Sequence, residues 1–183
     1  VLVTQVEGAF MQNLWAGEFG AAYIRRTHYQ MKSDPEAFER RVKFMARLSR
    51  EWRLANLDCP VASVLEVGCG DGMNFLALLE TDGSYAHKEL VGVDINPTAI
   101  SLLHPRVHGY VGSASNLSMF DDNSFDVVFT CGLLIHIPPA ELPPVLKELW
   151  RVSRRVVSIA EYFNPQFTEI PYQGQEGALW KGD

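Results

Sequence analysis

Long apolar runs are missing from this chain, and so is any excess of positive charge. A membrane-spanning helix needs roughly 20 consecutive apolar residues, and no segment approaches that length. The charged-then-apolar start of an export signal is also missing, so a cytoplasmic protein is expected. Sixteen Lys and Arg stand against 22 Asp and Glu, a net charge of −6. Without a basic stripe to displace the counterions of a nucleic acid, general nucleic-acid binding is disfavoured. Cysteine is scarce. Cys59, Cys69 and Cys131 are odd in number and have no metal-type spacing, which reads as free buried thiols and no metal site. Internal repeats and low-complexity tracts are lacking too. What remains is 183 residues, 47% of them hydrophobic, enough for one domain with a core of its own.

Two helical patterns open the chain. From Leu14 to about Met31, Trp15, Phe19 and Tyr23 recur at helical spacing with Arg26 on the same face. Ser33-Asp34-Pro35-Glu36 is a cap followed by proline and starts a second helix reaching about Asn56. Cys59-Pro60 ends this helical cap segment of residues 1–60, and residues 61–183 form the core. There, strands are predicted at 63–68, 90–95, 107–112, 125–131 and 155–161, with helices at about 73–81, 97–104 and 140–152. Alternation of this kind implies α/β architecture, a doubly wound and mostly parallel sheet covered by helices on both faces.

The chemistry concentrates where the first strand ends, in Val64-Leu65-Glu66-Val67-Gly68-Cys69-Gly70-Asp71-Gly72. Glycine lets the backbone turn with φ > 0 and approach a ligand closely. The spacing is GxGxG, not the GxGxxG that seats a dinucleotide pyrophosphate. Glu66 brings a carboxylate near the turn, unwelcoming to phosphate and suited to a cationic nucleoside. Asp94 closes the second strand 26 residues after Gly68. It either accepts hydrogen bonds from both ribose hydroxyls or caps the helix before Pro97.

This combination resembles motif I of the class I S-adenosylmethionine (SAM) methyltransferases, which have a Rossmann-like fold. The run Asp122 to Val128 is similar to the segment before strand four in methyltransferases of the ubiquinone-methylase type. The resemblance implies that SAM is the methyl donor, S-adenosylhomocysteine (SAH) the product, and NAD the less suited occupant. Glu66, Gly68, Cys69, Gly70, Gly72 and Asn74 would line the turn, and Asp94 with Ile95 the ribose. Ser113 and Ala114 would meet the adenine, Ser113 standing where many relatives carry Asp. Cys131, Gly132 and Leu133 would close the far side. Tyr23 would cover the cofactor, and Arg26 would pair with the methionine carboxylate. Such enzymes normally add two further strands, so this chain is expected to lack the last two and to leave a sheet edge open to another chain.

Three further stretches resemble the methylases associated with pseudaminic acid biosynthesis. They are Trp15-Ala16-Gly17-Glu18-Phe19-Gly20 with Tyr23, Ile24 and Arg26; Leu134-Ile135-His136-Ile137-Pro138 with Leu142-Pro143; and Ala160-Glu161-Tyr162-Phe163-Asn164-Pro165 with Glu169-Ile170-Pro171-Tyr172. The implied acceptor is a small molecule, an amine or hydroxyl of a sugar or nonulosonic-acid intermediate. His136, Glu161 and Tyr162 are the catalytic candidates, and Trp15 and Asn164 the acceptor-binding ones. Three of them have a structural alternative: His136 and Glu161 as satisfied buried groups, Trp15 as core packing. A SAM-binding module without catalysis is the alternative function.

Overall fold

The computed structural model describes residues 10–55, 58–175 and 178–182. A helical segment at 10–16 (α1) precedes α2 (Glu18–Ser33) and α3 (Pro35–Ala55). The core follows as β1 (Ser63–Val67), α4 (Met73–Leu79), β2 (Glu89–Asp94), α5 (Pro97–Ser101), β3 (His108–Val111), β4 (Phe125–Cys131), α6 (Leu142–Val152) and β5 (Ser153–Ala160). The five strands are all parallel, in the order β3-β2-β1-β4-β5. Strand order therefore reverses between β1 and β4, and the crevice beyond their carboxyl ends is where such sheets bind ligands.

β1 and β4 are buried along almost their whole length, rich in Val, Leu and Phe, because helices cover both of their faces. Val64 of β1 joins Val127 and Phe129 of β4 in one core, under Trp52 and Met45 of α3 and Phe75 of α4. Leu65 and Val67 point to the opposite face, against Val145 and Leu149 of α6. Alternation along β1 thus turns Glu66 toward the α3 and α4 side. At the other end of the sheet, Asp126 accepts from the backbone N–H of Ala62 and Ser63 and from Arg154. That acid ties β4 to the start of β1.

Several expectations change in the structure. The single helix from Leu14 breaks at Gly17, because the Nδ2 of Asn96 donates to the carbonyls of both Trp15 and Gly17. Cys59 is exposed, while Cys69 is buried. After β5 the chain forms a short antiparallel pair, β6 (Thr168–Glu169) and β7 (Trp180–Lys181), separate from the main sheet. Among the described residues no strand pairs with the outer side of β5. None of their helices is long and apolar enough to cross a membrane.

Candidate active site

The loop leaving β1 is built on left-handed glycines. Gly68, Gly70 and Gly72 have φ of 73°, 53° and 77°, a region where a Cβ is strained. At Gly68 a Cβ would in addition lie 2.7 Å from the Leu133 side chain. The turn is fastened to β2, since Gly68 and Cys69 both donate their N–H to the carbonyl of Val93 at 2.8 and 3.0 Å. The Cys69 sulfur packs onto Gly92, and burial pushes its thiol well above the usual range. A nucleophilic role has no support there.

Asp94 stands beside this turn with one oxygen accepting from Gly70 N–H and the other from Asn96 N–H, both at 2.9 Å. Burial pushes its carboxyl above the ordinary aspartate range, against the pull of those backbone donors. Each oxygen keeps lone-pair capacity for a ligand. The helix cap is Asn96, not Asp94: its Oδ1 accepts from Thr98 N–H at 2.9 Å. One buried amide therefore caps α5 and holds the N-terminal segment over the crevice.

Behind the turn runs a chain of three polar groups. Arg41 of α3 donates to the Asn74 Oδ1 at 2.7 Å, and the Asn74 Nδ2 donates to Glu66. Glu66 is fully buried, and its Oε2 has no partner. Burial raises its carboxyl to about 8, although Asn74 and Arg41 draw it down. A second pair, His28 with Asp71 at 2.8 Å, pins α2 to the turn.

Across the crevice, β4 gives way to Gly132 and a 3₁₀ turn, Leu134–His136. Glu161 organises this loop. Its carboxylate accepts from Thr130 Oγ1 at 3.0 Å, Leu133 N–H at 3.1 Å and Ile135 N–H at 3.4 Å, and burial raises it above the ordinary range. His136 Nδ1 lies 2.9 Å from the carbonyl of Ala178. A carbonyl only accepts, so Nδ1 carries the hydrogen and Nε2 keeps its lone pair. Burial lowers the imidazole's proton affinity, keeping it neutral. Trp15 packs on the ring at 4.3 Å between centroids and Tyr172 at 5.3 Å.

These walls enclose a cavity of about 720 Å³, within the size range of small-molecule sites. Of the residues expected from the sequence, Trp15, Tyr23, Gly68, Cys69, Gly70, Asn74, Asp94, Ile95, Ser113, Ala114, Cys131, Gly132, Leu133 and His136 line it. Glu66 and Gly72 stand behind the wall. Arg26, expected at the methionine carboxylate, is placed elsewhere: it donates to Gln173 and lies over the Tyr23 ring. Tyr162 is 63% exposed with Lys181 over its ring, and Asn164 donates to Thr168, both outside the cavity. Arg41, Asp71 and Asn96 line the cavity although the sequence reading did not single them out. Arg41 had a readable signal. It stands in register with Met45, Ser49 and Trp52, the buried stripe of α3, where a cation is out of place.

Fold and site together define a class I methyltransferase architecture. The chain belongs to the methyltransferase-domain family, whose model it matches over residues 64–155. Among solved structures, the PH0226 protein from Pyrococcus horikoshii OT3 is 30% identical over 66% of this chain and 55% of its own, with a TM-score of 0.52. The sugar N-methyltransferase KedS8 from Streptoalloteichus sp ATCC 53650 shares the fold at 18% identity, covering 82% of this chain and 61% of its own, TM-score 0.58. The [4+2]-cyclase SpnF does so at 19% identity, over 73% and 52%, TM-score 0.53. The chain spans about half to three fifths of the length of these structures. No curated protein matches it.

The donor set fits an adenosyl cation. Asp34, Asp71, Asp94 and Glu141 line the cavity against one permanent cation, Arg41, among the described residues. The missing Cβ at position 68 makes room for the Leu133 side chain, which closes one wall of the cavity.

Proposed function

We propose that the protein is a SAM-dependent methyltransferase acting on a hydroxyl or amine of a small molecule, with a sugar or nonulosonic-acid intermediate as acceptor. The observation that carries the reading is the shared cavity. An acid-bearing glycine turn forms one wall, and a neutral histidine with a fixed tautomer stands in the other.

Bound there, SAM supplies an electrophilic methyl group on a sulfonium, with a thioether as leaving group. The protein's part is to align and to desolvate. Asp94 would hold the ribose hydroxyls, and the Gly112–Ser115 wall the adenine. His136 Nε2 would accept the proton of an acceptor hydroxyl; a neutral amine would need it only after attack. Glu161 acts at one remove, fixing through Leu133 and Ile135 the loop that carries His136. The sugar acceptor rests on the resemblance of residues 15–26, 134–143 and 160–172 to the pseudaminic-acid-associated methylases.

The test is calorimetric titration with SAM and SAH, then labelled-methyl turnover on nucleotide-sugar and nonulosonic-acid acceptors. Binding with turnover on one of them is expected. Binding without turnover on any acceptor would favour the non-catalytic module. Thermal protection by NAD rather than by SAM or SAH would remove the reading altogether.

A further inference from the structure

We propose that the tip of the hairpin after β5, Tyr172–Gln175, is a clasp that fastens α2 across the cavity, with the Arg26–Gln173 hydrogen bond as its catch. The inference rests on the SAM reading above for the ligand that passes beneath, and adds a control on its entry and exit.

The starting point is a backbone conformation. Tyr172 and Gln175 exchange both backbone hydrogen bonds, at 2.8 and 3.0 Å, around the two-residue turn Gln173-Gly174. Both turn residues are left-handed, with φ of 51° and 80°. Such turns favour Asn-Gly, because a longer side chain is strained at positive φ. The other non-glycine residue in that region, among the described residues, is Asn123, and asparagine tolerates it. Strain of this kind persists where the surroundings hold it, and it collects at ligand clamps and switches. What Gln173 gains is a partner: its Oε1 accepts from Arg26 Nη2 of α2 at 2.8 Å.

The tip bridges the two walls of the crevice. The Tyr172 ring lies 6.2 Å from that of Tyr23 on α2 and 5.3 Å from that of His136 on the β4 loop. Burial and the hydrogen bond with Tyr172 hold the Tyr23 phenol above its ordinary range, so it keeps its hydrogen. Helix α2 contributes Gly20, Tyr23, Ile24 and Thr27 to the cavity wall. Its other fastenings, Asn96 to the carbonyl of Gly17 and His28 to Asp71, are part-buried and lie on the β1–β2 flank. The Arg26–Gln173 bond is exposed. Exposed side-chain bonds open more readily than buried ones, so the hairpin side lets go first and the β1–β2 side acts as the hinge. Gating of that kind keeps water from a reactive methyl donor and sets the rate of ligand exchange.

The experiment compares the wild type with Gln173→Gly and Arg26→Met. Glycine takes a φ of 51° freely, so the turn is kept while the catch is lost. Stopped-flow binding of SAH should show association and dissociation both faster by about 2- to 13-fold, the weight of one hydrogen bond. Kd should be unchanged, since neither Arg26 nor Gln173 lines the cavity. Arg26→Met should give the same shift, and the double variant no more than either single one. Alkylation of Cys131, which lines the cavity, should quicken by the same factor relative to the exposed Cys59. Unchanged rates and labelling in both variants would overturn the proposal. So would faster dissociation with an equal loss of affinity, which would make the tip part of the binding wall. Cys131 labelling needs no ligand. It therefore tests the clasp even in a protein that binds neither SAM nor SAH, the result that would bring down the cofactor reading instead.

Discussion

Asp94→Asn separates what this acid does for the fold from what it does for a ligand. In the wild type each carboxylate oxygen accepts one backbone N–H at 2.9 Å, from Gly70 and from Asn96. An amide offers one oxygen and one NH₂, so one of those donors loses its acceptor. Leaving a buried donor unsatisfied costs about 1–3 kcal/mol. At roughly 2–4 °C per kcal/mol for a chain of this size, Tm should fall by roughly 2–12 °C. The ribose also loses a charge-assisted acceptor, which should weaken SAH by about 10- to 150-fold. Differential scanning calorimetry reads the first effect and titration calorimetry the second. Because burial raises the carboxyl, wild-type SAH affinity should also fall as the pH drops toward that raised value. A variant with lowered Tm but unchanged SAH affinity would refute the reasoning, leaving Asp94 as a brace for the turn only.

The acid behind the wall gives a second test. The Glu66 carboxyl is raised from 4.5 to about 8, so the folded protein keeps a proton that the unfolded chain releases. Its contribution is full below about pH 4.5 and is lost as pH rises through about 8, at about 1.36 kcal/mol per unit. Glu66→Gln should flatten that dependence in denaturant melts; an equally sloped profile would show that Glu66 ionises freely. His136→Gln should lower kcat by about 10²- to 10⁴-fold on a hydroxyl acceptor and leave SAH affinity intact. In the wild type, the acid limb of kcat should lie below the ordinary histidine value of 6.5, as the burial of His136 dictates. Loss of SAH affinity together with turnover would move His136 into the cofactor's own shell. Glu161→Gln should reduce stability and kcat through the Leu133–Ile135 loop while retaining the acid limb, whereas a vanished limb would make Glu161 the base.

Local chemistry carried most of what the sequence made legible. Short, mainly apolar segments bounded by turns marked the buried strands β1 and β4, and alternate glycines marked the turn, because each depends on neighbours a few residues away. What stayed hidden depends on distant partners. The break at Gly17 needs Asn96, about 80 residues on, and the loop at Leu133 needs Glu161. Sequence placed both Glu161 and Arg26 beside the ligand from their residue types and neighbourhood. The fold assigned the first to backbone donors and the second to Gln173. Arg41 was partly visible as a cation on an apolar helix stripe, but its partners Asn74 and Cys131 lie 33 and 90 residues away. The β6–β7 pair is only two residues per strand, too short for any alternation to register.

The ring that faces the cavity is aimed by a main-chain oxygen 42 residues further on, at Ala178. No single side-chain replacement removes a peptide carbonyl, so the location of the ring's free lone pair is buffered against mutation inside the crevice. It is correspondingly sensitive to anything that shifts the tail. Should that segment slide by a peptide unit, the imidazole would be free to move its hydrogen to the other nitrogen and present a donor to the cavity in place of an acceptor.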